Sequence, residues 1–246
     1  MSVSSSQPPK LSKATLAHGY SPVKRVIDIV SIIGFFVSEI FLMKEVVPHI
    51  IKQPFIVLPA LLAGFIAADF TSGFVHWLGD TWGSAETPIL GRAFIRPFRE
   101  HHIDQTAITR HDFIETNGSN CLASLFILVP AIIILLRQPT TLFVLFLMTG
   151  ALSLSLGVFG TNQFHKWAHL ARPSKIVRTL QNWHLILSPI HHAIHHNIPH
   201  DRYYCITVGW LNKLLEKIHF FPAIEKVVTY LTGVKARKND QEMIAS

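Results

Sequence analysis

The chain has 246 residues, 49% of them hydrophobic and only 15% charged, with a mean hydropathy of +0.35. That balance is too apolar for an ordinary soluble domain and predicts a single membrane-embedded one. The formal charge of +7 is scattered among hydrophobic stretches with no base-stacking aromatic pattern, which excludes nucleic acid as the partner. Two cysteines, Cys121 and Cys205, form neither a disulfide framework nor a CxxC motif.

Residues 1–25 are rich in Ser, Pro and Lys with no apolar run, and read as a disordered tail. They lack the apolar core of a signal peptide and the Arg-rich, acid-free amphipathic character of a transit peptide. Spans are predicted from Val26 to Val47, Phe55 to Leu78, Leu122 to Leu136 and Thr141 to Phe159, near the ~20 residues a membrane-crossing helix needs. Gln138 and Pro139 supply a tight turn that makes the last two a helical hairpin. The stretch from Ser174 to Leu187 mixes apolar and polar residues, as a segment lying along the interface does. From Gly209 to Leu231 basic residues alternate with Leu, Ile, Phe and Val, predicting a helical layer beneath the bundle, and residues 233–246 form a polar tail. The domain therefore runs over 26–232.

Of the Lys and Arg residues, four lie in 1–25, four in 79–120 and eleven in 165–246, against only Lys44, Lys52 and Arg137 on the other side of a four-span layout. Positive charge marks the cytosolic side. The expected fold is an all-α integral membrane protein of about four transmembrane helices with a cytosolic, histidine-rich helical cap.

Histidine is the compositional anomaly: fifteen residues, as many as Asp and Glu together, with only His49 on the opposite side. His76 closes the second span, with Asp80 four residues later on the same helical face, where the two can share an ion or bind each other. His101 and His102 are adjacent and cannot face one way, so each suits a different ion. His165 and His169 offer two nitrogens from one face just past the fourth span. SPIHHAIHH, 188–196, holds four histidines, of which His192, His195 and His196 can line one stripe while His191 points elsewhere. Protonated, such a cluster would repel itself, and no carboxylate is near in the sequence, so neutral metal-bound imidazoles are the economical explanation. The inward set is eight imidazoles: His76, His101, His102, His165, His169, His192, His195 and His196. Eight exceed the coordination of one ion, which implies two metals. Nitrogen ligands admit iron, zinc, copper or nickel. Iron is favoured because a redox metal facing a membrane can activate dioxygen against unreactive C–H bonds. His111 and His191 are candidates for supporting contacts behind the ligands, though a solvated basic loop explains His111 equally well. Arg96 and Arg99 are candidates for holding a lipid phosphate.

With ADFTSGFVHWLGDTWG at 68–83, RPFREHH at 96–102, TRHDFIETNG at 109–118, NQFHKWAH at 162–169 and LSPIHHAIHH at 187–196, the sequence resembles the Kua/CarF lipid desaturase family, over about residues 50–225 and nearest in pattern to its ether-lipid branch. The resemblance implies an iron-dependent oxidoreductase with histidine boxes in HKWAH and HAIHH and with His76, Asp80, His101 and His102 as further metal-site residues. It implies that an alkyl ether phospholipid, dioxygen and two electrons give a 1-alkenyl (vinyl ether) lipid, the plasmanyl-to-plasmenyl step of plasmalogen synthesis. A second branch desaturates the acyl chain of phosphatidylglycerol in plastids, and the lack of a transit-like leader argues against it. There is no HPGG haem signature, so a separate carrier, cytochrome b5-like or ferredoxin-like, is expected to bring electrons. The expected membrane is the endoplasmic reticulum in a eukaryote and the inner membrane in a bacterium.

Three other readings share parts of this pattern. A lipid hydroxylase has the same metal logic without the second hydrogen abstraction. A metal carrier would use ionisable residues within the spans, of which Asp28, Glu39 and Asp69 are the instances. An inert adaptor would use metal only to fold, and eight ligands exceed that need.

Overall fold

The computed structural model describes residues 20–83, 87–88 and 91–237. Residues 1–19 and 238–246 of the two predicted tails, His18 among them, lie outside the described residues. The described elements are helical: α1 (Pro22–Val46), α2 (His49–Lys52), α3 (Pro54–Thr81), a π-helical turn (Gly91–Ile95), α4 (Arg96–Ile103), a 3-10 turn (Ala107–Arg110), α5 (Phe113–Arg137), α6 (Leu142–Ala168), α7 (Lys175–Asn182), α8 (Pro189–His195), α9 (Asn212–Lys217) and α10 (Phe220–Thr232).

Four of these, α1, α3, α5 and α6, are long and apolar enough to cross a membrane. Their starts follow from local chemistry. Ser21, Asp112 and Thr141 each accept the main-chain N–H three residues on, at Lys24, Glu115 and Val144, and Pro22 and Pro54 occupy first-turn positions where no N–H is needed. α3 packs on α6, α1 on α5 and α5 on α6. The α3–α6 approach is close because a Cβ on Gly64 would lie 2.3 Å from the Gly150 carbonyl and one on Gly157 2.4 Å from the Ala68 Cβ. Small residues let backbones meet in the same way wherever lipid surrounds a bundle. Phe35, Leu42, Val57, Leu128, Leu145 and Met148 fill the interior, while Val30, Val37, Phe55, Phe126 and Phe143 face outward.

Hydropathy underestimates the helices. α3 runs three residues past Leu78, α5 begins at Phe113 rather than Leu122, and α6 continues past Phe159 to Ala168. Apolar composition reports only the part of a helix in lipid, whereas the helix itself continues while its backbone bonds are made and its sides are packed. Residues 22–25, assigned to the tail by composition, are likewise the capped first turn of α1. At ~1.5 Å per residue, the 28 residues of α3 span ~42 Å, some 12 Å more than a ~30 Å hydrocarbon layer.

Asp28, Glu39 and Asp69, the residues a carrier would use, have structural partners. Asp28 accepts from the Tyr20 hydroxyl at 2.9 Å and pairs with Lys24, and Glu39 accepts from the Ser155 hydroxyl at 2.5 Å. Asp69 accepts the main-chain N–H groups of Val208 (2.9 Å), Gly209 (2.8 Å) and Leu211 (3.1 Å). Above it, Ser72 accepts from the N–H groups of Ile206 and Thr207, and the Asn212 side chain accepts from Cys205. Thus the irregular segment between α8 and α9 lies along α3 with its backbone donors satisfied by side chains, the condition for non-helical chain beside a bilayer.

Candidate metal centre

α3 and α6 each end in the centre. His76 and Asp80 lie one turn apart at the end of α3, and His165 lies in the last turn of α6 with His169 as its C-cap. α4 crosses there with His101 and His102, and α8, capped by the Ser188 hydroxyl accepting from the His191 N–H, brings His192, His195 and His196. Their ligand atoms fall into two groups, each within 4.8 Å: His101, His165, His169, His192 and His196 in one, and His76, Asp80, His102 and His195 in the other. The nine residues singled out from the sequence are the nine brought together. His101 and His102 go to different groups, as adjacent helical residues must. His192, His195 and His196 do not act as one stripe: His195 turns to the Asp80 group. Residues i+3 and i+4 on a helix point ~100° apart, so the stripe divides between two ions.

The five-histidine group has the geometry of one coordination sphere. An ion held at ~2.1 Å by imidazole nitrogens puts neighbouring nitrogens ~3 Å apart, neighbouring ring centroids ~4.6 Å apart and opposed centroids ~6.5 Å apart. His165 and His169 have Nε2 atoms 3.2 Å apart, and His192 and His196 2.9 Å. His169 lies 4.6–5.0 Å from each of the other four rings. Those four form a square, with His101–His165 and His165–His192 at 4.5 Å, His192–His196 at 4.4 Å and His196–His101 at 4.9 Å. Across it, the His101 and His192 rings are nearly parallel with centroids 6.2 Å apart. The five rings therefore converge on one ion-sized space, four around it in a square and His169 against all four, and would be able to hold a single ion there.

In the second group the Asp80 Oδ2 stands 3.3 Å from His76 Nε2, 3.6 Å from His102 Nε2 and 3.5 Å from His195 Nε2, with the last two nitrogens 3.1 Å apart. His76 donates from Nδ1 to the Tyr204 carbonyl at 3.1 Å, and His195 from Nδ1 to the Arg202 carbonyl at 2.9 Å. A carbonyl only accepts, so each ring is fixed in the tautomer that aims an Nε2 lone pair inward, as ligating histidines are. Both Asp80 carboxylate oxygens, His76 Nε2 and His101 Nε2 are buried without a hydrogen-bond partner. Converging lone pairs and orphaned buried acceptors are costly without a cation between them, so the residues fit two metal ions. Burial and neighbouring imidazoles push the His101, His102 and His192 pKa values far down, His169 and His195 to about 4 and His196 to about 2. At neutral pH these rings are unprotonated and able to ligate.

The remaining predicted residues do other things. Arg99 is 1% exposed and donates to the carbonyls of Trp82 (3.2 Å) and Gly83 (2.5 Å), so it ties α4 to the end of α3 and is turned away from any lipid phosphate. A basic residue beside a histidine pair looks the same in sequence whichever way it faces. Arg96 is one-third exposed and pairs with Glu100. His111 sits 3.7 Å from Glu115, and its carbonyl accepts from Lys166 on α6. The His191 ring lies 3.0 Å from the Asn212 amide and packs on Tyr203, bracing the irregular segment. Sequence reasoning passed over His200, which stacks on His102 at 4.2 Å and 7°; its spacing of four from His196 was a signal, obscured by the intervening Pro199. It also passed over the Tyr204 and Arg202 carbonyls, for which no residue type gives a sign.

Four membrane-crossing helices, two of which end at two clusters of imidazoles with one carboxylate, define a multi-pass membrane protein with two groups able to hold metal. A family model described as a lipid desaturase domain matches residues 65–239, which include both clusters. The chain belongs to the lipid desaturase family, and is a desaturase oxidoreductase. It is 50% identical over 225 residues to a plasmanylethanolamine desaturase of Myxococcus xanthus, covering 92% of this chain and 79% of the relative. It is 47% identical over 238 residues to plasmanylethanolamine desaturase 1 of Mus musculus, covering 92% and 85%. It is 33% identical over 207 residues to the chloroplastic fatty acid desaturase 4-like 1 of Arabidopsis thaliana, covering 83% and 63%. No solved structure matches the chain.

Proposed function

We propose that this protein is a di-iron desaturase that converts an alkyl ether phospholipid into its 1-alkenyl form. The balanced reaction removes one hydrogen from each of two adjacent chain carbons, consumes dioxygen, two electrons and two protons, and releases two waters. The assembly of nine ligand side chains into two ion-sized groups at the membrane end of the bundle carries this reading. The names of the two relatives near 50% identity support the ether-lipid substrate.

The five imidazoles around His169 would hold one iron, and His76, Asp80, His102 and His195 the other. When bound, two redox-active ions supply the oxidising power that dioxygen lends to C–H cleavage. The chain does the rest. The Tyr204 and Arg202 carbonyls hold His76 and His195 with Nε2 inward, and burial keeps the His101, His102, His192, His195 and His196 rings neutral. The end of the bundle excludes bulk water from the reacting carbons. Chemistry begins beside the ether oxygen, whose lone pair stabilises the carbon radical. Arg96, the less buried member of the basic pair and the partner of Glu100, is the remaining candidate for a headgroup phosphate. The distribution of Lys and Arg supports a cytosolic position for both termini and the metal layer, in the endoplasmic reticulum or a bacterial inner membrane, within reach of a cytochrome b5-like or ferredoxin-like donor.

Expression in a host that makes alkyl ether phospholipid but no plasmalogen, followed by assay of acid-labile vinyl ether lipid, tests the proposal. Product is expected from the wild type and from His49→Ala, whose side chain lies in α2 at the opposite end of the bundle, and none from His192→Ala. A wild-type protein that binds iron, receives electrons and forms no vinyl ether overturns it.

A further inference from the structure

Asp80 is the one carboxylate in either group, and it stands one residue before the end of α3. The last turn of a helix leaves its carbonyls without intrahelical donors. Here two arginines from distant parts of the chain take them. Arg99 serves Trp82 and Gly83 from α4. Arg237 donates its main-chain N–H to the Thr81 carbonyl at 3.1 Å and its guanidinium to the Asp80 carbonyl at 3.2 Å. It arrives from the segment that composition assigned to a polar tail, because Gly233 ends α10 in the left-handed conformation, φ 73°, and turns the chain back. Arg237, Asp80, His200 and Tyr204 help line a cavity of about 30 Å³, room for a single water, beside the Asp80 group.

Neither Asp80 carboxylate oxygen accepts a hydrogen bond. The carboxylate is carried by this backbone turn, so where the turn sits sets where Asp80 meets the three imidazoles. We infer that Arg237 is a positioning residue for the Asp80 half of the centre: capping this turn, the segment after α10 holds Asp80 over His76, His102 and His195, and that group takes its ion in full only with the segment docked. The five-histidine group is carried by α4, α6 and α8 and does not depend on this cap. The inference rests on the two-ion reading.

Anaerobic titration of the metal-free, full-length protein with cobalt(II) alone, followed by its absorption bands, tests it. The wild type is expected to take two equivalents. Arg237→Ala is expected to take the first unchanged and to bind the second ~10–100-fold more weakly, the usual effect of losing a contact behind a metal ligand. Arg237→Lys, which keeps a donor but loses the fork, falls between, and Lys235→Ala, altered at an exposed side chain of the same segment, matches the wild type. Two equivalents at wild-type affinity in Arg237→Ala overturn the inference. Should that variant fail to fold, Gly233→Ala must weaken the second equivalent selectively, since its methyl meets nothing within 4 Å and strains only the turn; unchanged binding there overturns the inference equally. A wild type that takes one equivalent overturns the two-ion reading, and this inference with it.

Discussion

Replacing Asp69 by Ala removes the acceptor for three buried main-chain donors at once. The Val208 and Gly209 N–H groups both bond to Oδ1, and that of Leu211 bonds to Oδ2. Each buried donor left unsatisfied costs about 1–3 kcal/mol, so the substitution costs about 3–9 kcal/mol against a typical total of about 5–15 kcal/mol. Asp69→Asn keeps one acceptor oxygen for Val208 and Gly209 but sets an amide against the Leu211 N–H, and is expected to cost roughly a third as much. The released segment also carries the Arg202 and Tyr204 carbonyls that orient His195 and His76, so metal should leave the Asp80 group as stability falls. At about 2–4 °C per kcal/mol for a chain of this size, Asp69→Ala should lower the melting temperature by at least about 6 °C, read in detergent from tryptophan fluorescence, with metal content measured alongside. Asp69→Ala melting within about 2 °C of the wild type with full metal content would refute this account of the residue. Loss of ion flux through liposomes, with fold and metal intact, would instead revive the carrier reading.

Gly73→Ala tests the packing of the same segment. The new methyl would lie 2.5 Å from Cys205 Sγ and 3.1 Å from its backbone nitrogen, itself bound to Asn212, so about 1–3 kcal/mol of destabilisation is expected, partly relieved by adding Cys205→Ala. Thermal melting of the two variants reads this out, and a neutral Gly73→Ala contradicts the packing. The pH dependence of the metal-free protein tests the buried histidines. His195 and His169, with pKa values of about 4, stay neutral while the unfolded chain takes up protons below about 6.5. Stability should therefore be complete above pH 6.5 and fall as pH drops towards 4, by on the order of 3 kcal/mol for fully buried His195 alone. Denaturation midpoints that are flat from pH 7 to 4.5 would show that these rings are not held neutral.

Much of the architecture is legible without coordinates because its causes are local. Four apolar runs report contact with lipid. The pairs His76–Asp80 and His165–His169 declare a shared helical face through spacing alone. Helix ends are less legible: α5 starts nine residues before its apolar run because the Asp112 cap and packing on α1 and α6, rather than hydropathy, decide where it begins. The misjudged functional residue, Arg99, has the composition of a phosphate ligand and the surroundings of a helix cap, and only its burial tells them apart.

The sequence by itself determined that this is a multi-span membrane protein, and singled out nine side chains that the fold brings into two groups able to hold metal, since hydropathy and helical periodicity are properties of neighbouring residues. Tertiary structure decided how those nine divide into a five-histidine square pyramid and a three-histidine carboxylate group, that Asp69 staples the irregular segment to α3, and that Arg237 returns to cap the Asp80 turn. Each of those depends on groups between 22 and 157 positions apart meeting in space, from His102 at the Asp80 carboxylate to the Arg237 guanidinium at the Asp80 carbonyl. No local pattern encodes such a meeting, because it is set by how whole helices pack.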